Sequence, residues 1–163
     1  MAESSTFHYE AEVQWSRERE GRLGGAGVEG ISVGAPPEFK GRPGNWSPEQ
    51  LLVGSVNTCL MLTYLAIAEN SKIHTVSYSS TARGKLEKTS GGFQITEIVV
   101  KPKVVVASPD ELRRLPKILD KAKEGCFVSN SIKAAVKLEP EISAGPEAST
   151  AGAAASPRTE PDQ

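Results

Sequence analysis

Cys59 and Cys126 are the two cysteines of this chain, and both stand where a thiol can do chemistry. Cys59 lies in LLVGSVNTCLMLTYLAIA, a long uncharged stretch that reads as helix. Cys126 follows a glycine in EGCFVSNS, where one helix is expected to end and another apolar run to begin. They are too far apart for a local CxxC hairpin, so only the fold can bring them together. A thiol on a buried helix, with a second thiol placed to close a disulfide onto it, is what a thiol peroxidase with a resolving cysteine requires. Reactivity needs the thiolate, and hence a cation or a helix dipole beside it. Arg17, Arg19 and Arg22 in SREREGRLGGAG, and Arg42 in a later loop, are the available cations. The plainer alternatives are a cysteine that simply packs as a small hydrophobe and arginines that are solvated loop charges.

The composition narrows the classes. A chain of 163 residues is expected to form one domain with its own core. Lys and Arg total 19 against 20 Asp and Glu, so no basic surplus points to nucleic acid or to an anionic membrane. Two cysteines are too few for a disulfide scaffold, and MAESSTFHYE has no signal pattern. The expected compartment is therefore the cytoplasm, where cysteine pairs are more often catalytic, redox-active or metal-bound than structural. Residues 51–68 carry no charge and reach the lower length limit of a membrane span. Gly54, Ser55, Asn57, Thr58 and Thr63 interrupt that run, and no Lys or Arg cluster flanks it closely, which favours a core helix or one buried in a dimer. His8 and His74 stand at none of the metal-ligand spacings, and Gly24-Gly25-Ala26-Gly27 lacks the strand-to-helix setting of a phosphate loop. Neither metal nor cofactor is expected.

The positioning elements follow from periodicity. Residues 6–15 alternate, with Phe7, Tyr9, Ala11, Val13 and Trp15 on one face, and predict a half-buried strand. A charged, glycine-rich segment and a short strand in VEGISVGAP come next, suggesting an antiparallel meander. PPEFKGRPGNW is a loop long enough to suggest a functional role. Ser47-Pro48-Glu49-Gln50 then starts a helix that should run to about Asn70. Strands are predicted over 73–83 and 93–106, the second interrupted by Pro102, with KTSGG as the turn between them. Ser108-Pro109-Asp110-Glu111 starts a second helix, which Pro116 should kink or split and Gly125 should stop. Ile132, Ala134, Val136 and Leu138 predict a last strand. The domain is placed at 1–142, and residues 143–163, small and proline-rich, are expected to be a disordered tail.

Ser47-Pro48-Glu49-Gln50-Leu51-Leu52 followed by a helical cysteine at 59, and later Cys126 with Ser129-Asn130, resembles the OsmC/Ohr family of thiol-dependent peroxidases. The resemblance covers roughly residues 6–142 and extends to the order of elements. It implies an α+β fold of antiparallel sheets and two main helices, with the long cysteine helix central in an intertwined homodimer. It further implies reduction of organic hydroperoxides, Cys59 becoming a sulfenic acid that Cys126 resolves as a disulfide. The family's glutamate corresponds to Glu49 and its arginine best to Arg19, with Arg17 and Arg22 as alternatives because such loops vary in length. A thiol reductant, a lipoylated protein in the best-known branch, is the implied electron donor. Phe127-Val128 after Cys126 and Trp46-Ser47 before the helix depart from the organic-hydroperoxide branch and look more like the broader OsmC-like group.

Helix geometry adds a constraint of its own. Ten residues on one straight helix separate Glu49 from Cys59 by about 15 Å along the axis and about 80° in azimuth, so the two can share a site only between two copies of the chain. Two other classes compete with an enzyme: a binding protein for small apolar molecules with inert thiols, and a redox sensor whose disulfide alters a partner interface.

Overall fold

Residues 5–145 are described by the computed structural model, an α+β arrangement of two sheets and two principal helices. β1 (Glu12–Arg17), β2 (Glu20–Gly25) and β3 (Val28–Gly34) form an antiparallel meander in chain order. The expected strand over 6–15 is thus shifted. Glu12 pairs with Gly24, and β2 ends one residue later, so the alternating residues before Glu12 have no strand to pair with. The glycine-rich segment is itself β2. Gly21 belongs there because a Cβ would stand 2.6 Å from the Gln14 carbonyl oxygen across the ladder.

The loop that follows contains a 3₁₀ turn at Pro37–Phe39 and returns to β3, where the Trp46 N–H donates to the Ser32 carbonyl at 3.0 Å. It delivers the chain to α1 (Pro48–Asn70), whose capping box forms as the sequence predicts. Ser47 Oγ accepts from the Gln50 N–H at 3.2 Å, and Gln50 Oε1 accepts from the Ser47 N–H at 3.0 Å. α1 is long and apolar enough to cross a membrane, yet it buries a single stripe, Val56, Leu60, Tyr64 and Ala68, within this fold. Those residues recur every four positions and so share one helical face. Leu62 and Leu65, on the other side, stay exposed.

β4 (Thr75–Thr89) and β5 (Gly92–Val106) make a long antiparallel hairpin under α1. At Gly84 a Cβ would lie 2.5 Å from Val53 Cγ2, so glycine lets the helix settle on the strand. β6 (Ala135–Leu138) and β7 (Glu141–Ala144) lie end to end along the other edge of β5, both parallel to it. The sequence pattern did not foresee this parallel edge. Pro102 does not interrupt β5. Val100 and Val106 turn their carbonyls to the β6–β7 side, where they accept from Glu139 and Gly145. Pro102 shares their parity and therefore turns its hydrogen-free nitrogen to the break between β6 and β7, where no ladder bond is needed.

α2 (Pro109–Glu124) opens with a second capping box, Ser108 with Glu111, and continues unbroken through Pro116, which was expected to kink or split it. Burial of Leu115, Ile118, Leu119 and Ala122 on either side of the proline holds the helix as one element. Gly125 ends it, without a left-handed conformation, and α3 (Phe127–Asn130) follows directly. The core joins the α1 stripe to Ile98, Val100, Val104 and Val106 of β5 and to Leu115 and Leu119 of α2. β7 corrects the domain boundary: Ser143 and Ala144, assigned to the tail, continue the strand because Ile142 pairs with Val104 over the core. The rest of the expected tail, from residue 146, lies outside the described residues.

Candidate active site

Cys59 sits midway along α1, half-buried, and Cys126 occupies the N-cap position of α3, with no solvent exposure. Packing of α2 and α3 against α1 brings the two free thiols together. Sequence reasoning anticipated that pairing. It did not identify the groups that distinguish the two sulfurs.

Burial pushes the Cys59 thiol up, but the Val128 N–H, the Cys126 thiol, the Thr63 hydroxyl and the Phe127 N–H together outweigh it and hold Cys59 below an ordinary cysteine. The Thr63 hydroxyl, one turn along the same face, has a single proton, which it shares between the Cys59 sulfur and the Cys59 carbonyl, the latter at 2.8 Å. For Cys126 burial wins. Its thiol is held above the usual range by desolvation and by Cys59, although the Ser129 hydroxyl and N–H both favour the thiolate. Ser129 Oγ donates to Cys126 Sγ at 3.0 Å. The two environments therefore push the neighbouring thiols in opposite directions, Cys59 toward the thiolate and Cys126 toward the thiol. The available sequence signals were the i,i+4 spacing of Thr63 and the position of Cys126 just before a short helix, which aims the next backbone N–H groups at whatever lies opposite.

Arg19 and Glu49 lie elsewhere. Arg19 is in the turn between β1 and β2, exposed, and its Nη1 donates to the Phe39 carbonyl at 2.6 Å. Among the described residues it pairs with no carboxylate, whereas Arg17 binds Glu20 at 2.9 Å and Arg42 binds Glu18 at 3.2 Å. Arg22 makes no ion pair among the described residues and points across β3 at Gly30. Glu49 stands in the first turn of α1, about 15 Å from Cys59 along the axis. Its Oε2 is buried without a hydrogen-bond partner among the described residues. Glu49 and Phe39 share the wall of a cavity of about 730 Å³ with Pro36, Pro43, Arg42 and Phe93. The Phe39 and Phe93 rings meet edge to face at 5.7 Å there. Within one chain, therefore, the cysteines form one cluster, and Arg19 and Glu49 flank another around the loop before α1. Among the described residues no three His, Cys, Asp or Glu side chains gather as metal ligands.

The family model described as OsmC-like protein matches residues 41–141, which include α1, β4, β5, α2 and both cysteines. The chain belongs to the OsmC-like family. Relatives span most of its length. YmaD, an uncharacterized protein of Bacillus subtilis, is 30% identical over 115 residues, covering 69% of this chain and 77% of its own. Peroxiredoxin OsmC of Escherichia coli is 27% identical over 142 residues, covering 84% of this chain and 98% of its own. Among solved structures, an OsmC-like protein of unknown function from Vibrio cholerae superposes with a TM-score of 0.77 at 29% identity, covering 83% of this chain and 99% of that one. The matched residues take in Glu49, Cys59 and Cys126 and begin after Arg19.

Proposed function

We propose that this OsmC-like chain is a thiol-dependent peroxidase that reduces organic hydroperoxides through a Cys59 sulfenic acid, resolved by Cys126. The observation that carries the reading is the adjacency of two free cysteines whose environments push them in opposite directions, Cys59 toward thiolate and Cys126 toward thiol. The similarity to a protein named as a peroxiredoxin supports it. The Cys59 thiolate attacks the terminal peroxide oxygen, the O–O bond breaks, and the alkoxide leaves as alcohol with a proton from solvent. Cys126, as its thiolate, then attacks the sulfenic sulfur, hydroxide leaves as water, and the Cys59–Cys126 disulfide remains. A dithiol reductant, of which a lipoylated protein is one kind, returns both thiols.

The arginine–glutamate part of the site comes from a second copy in this reading. Arg19 and Glu49 border the same loop, and a dimer that sets this end of one chain over Cys59 of the other would give the thiolate a guanidinium. It would also give the orphan Glu49 oxygen a charged partner. The cavity beside Glu49, walled by Phe39 and Phe93, suits the apolar part of an organic hydroperoxide.

Treatment of the reduced protein with one equivalent of cumene hydroperoxide tests the reading. Non-reducing peptide mapping should find an intramolecular Cys59–Cys126 disulfide, and Cys126→Ser should accumulate sulfenic acid or over-oxidise. Two free thiols after treatment would overturn it. In that case, retention of an apolar ligand unaffected by Cys59→Ser would favour a binding protein instead.

A further inference from the structure

Once the disulfide has formed, it must be reduced by attack on one of its two sulfurs, and the two are unequal. Cys126 is fully buried while Cys59 is partly open, so an incoming thiolate reaches the Cys59 sulfur and Cys126 departs. A departing thiolate in an apolar pocket needs a donor, because burying an uncompensated charge is costly. The groups that act on the Cys126 sulfur are Ser129 and Cys59, neither of them a cation. The Ser129 hydroxyl, half-buried one turn further on, donates to that sulfur at 3.0 Å.

We propose that Ser129 is a third catalytic side chain, its hydroxyl holding the charge on Cys126 as that sulfur leaves the disulfide. The proposal rests on the two-cysteine reading. One thiolate of a dithiol attacks Cys59; the new S–S bond joins reductant to Cys59, and the electron pair of the old bond passes to Cys126. The second thiolate of the dithiol then displaces Cys59 as a thiolate. The reductant leaves as its disulfide, and both cysteines take protons from solvent as they require. The same hydroxyl serves the earlier step, since it raises the thiolate fraction of Cys126 available to attack the sulfenic acid. There the effects partly cancel, because a more acidic thiol is a poorer nucleophile, so disulfide cleavage is the step that Ser129 governs most.

The test forms the disulfide chemically with diamide, so it does not depend on peroxide turnover. The oxidised wild-type protein and Ser129→Ala are each reduced with dithiothreitol under pseudo-first-order conditions. A hydrogen bond to a charged acceptor shifts a thiolate equilibrium by roughly tenfold or more, and part of that reaches the leaving-group step, so Ser129→Ala should be cleaved about fivefold more slowly. Capture with glutathione should give a mixed disulfide at Cys59. The pair Ser129→Thr and Ser129→Val repeats the comparison at nearly one side-chain volume, with threonine behaving as wild type and valine as alanine. The thiolate absorbance of Cys126 in a Cys59→Ser background should titrate at higher pH once Ser129 is alanine. Equal cleavage rates in the Thr and Val variants, or glutathione captured at Cys126, would overturn the proposal. If diamide yields the disulfide and the Ser129 effect appears while cumene hydroperoxide leaves the thiols untouched, the peroxidase reading fails and the role of Ser129 stands.

Discussion

Glu49 and Cys59 lie on one unbroken helix, about 15 Å apart along its axis, and the Glu49 Oε2 is buried without a partner among the described residues. A single chain cannot close that distance without breaking α1. Other apolar side chains are open to solvent. Every residue of β1 is exposed, Trp15 at 78%, and Leu62 on the outer side of α1 is 57% exposed. Val13 and Trp15 on the sheet and Leu62 on the helix each leave apolar surface in solvent, which a second copy of the chain would cover in the proposed dimer.

Assembly is accordingly the first expectation. Sedimentation should give a species near twice the 17.3 kDa chain mass. Leu62→Lys combined with Leu65→Glu should dissociate it and reduce peroxide turnover while leaving Cys59 and Cys126 able to pair under diamide. A stable monomer of the unmodified protein at micromolar concentration would remove the cross-copy site.

Arginine identity is the second. Burial raises the Cys59 thiol, and a guanidinium from a second copy would oppose that cost further. Arg17 and Arg42 are engaged by Glu20 and Glu18, whereas Arg19, among the described residues, holds only the Phe39 carbonyl. Arg19→Ala should slow peroxide reduction by about two orders of magnitude or more, on the scale of losing a preorganised charge donor, and shift Cys59 alkylation to higher pH. Arg17→Ala and Arg22→Ala should change little, and Glu49→Gln should give a smaller loss than Arg19→Ala. An unchanged alkylation profile with normal turnover in Arg19→Ala would show that the arginine is another.

Much of this site was legible in the sequence, and the reasons are local. Ser47-Pro48-Glu49-Gln50 and Ser108-Pro109-Asp110-Glu111 announce both helices because capping boxes are short-range chemistry, and both form. The two cysteines were legible as a pair because few other residues could play the part. What could not be read is set by distant partners. The start of β1 depends on where β2 ends, the tolerance of Pro102 on a break between two strands more than thirty residues further on, and the reach of β7 on the pairing of Ile142 with Val104. Ser129 entered the sequence reading only as a neighbour of Cys126 in a motif, and the approach of its hydroxyl to the Cys126 sulfur is visible only in the fold.

Thiol reactivity supplies the third expectation. With Cys59 held below and Cys126 above an ordinary cysteine, iodoacetamide should modify Cys59 first at every pH, its rate rising with pH through a midpoint below the usual thiol value. Cys126 should react only near its higher midpoint, and slowly, because it is buried. Thr63→Val should move the Cys59 midpoint upward, since the hydroxyl is one of the groups favouring its thiolate. Reversal of the order of modification would separate the two sulfurs from the roles assigned to them.

Glu111 supplies the fourth expectation, a contribution to the response of the fold to acid. Its Oε1 accepts from the His74 N–H at 2.9 Å and meets His74 Nδ1 at 2.7 Å, while Oε2 accepts from the Ser108 N–H at 3.1 Å. One nearly buried carboxylate therefore caps α2 and ties it to the connection between α1 and β4. The His74 N–H leads the groups that hold this carboxyl below the usual carboxylate range, against the opposing effect of burial. A carboxylate depressed in the folded state stabilises fully above its unfolded value of about 4.3, and that contribution is lost as pH falls through the lower folded value. Urea unfolding of the native protein should thus weaken on acidification across that window. Glu111→Gln should cost about 1–2 kcal/mol at neutral pH, the range for a cap and a charged hydrogen bond, and flatten the acid dependence. His74→Ala removes only the ring contact and leaves the N–H, so it should retain most of the depression and most of the stability. If Glu111→Gln lost stability on acidification as steeply as the native protein, the acid response would belong to other carboxylates.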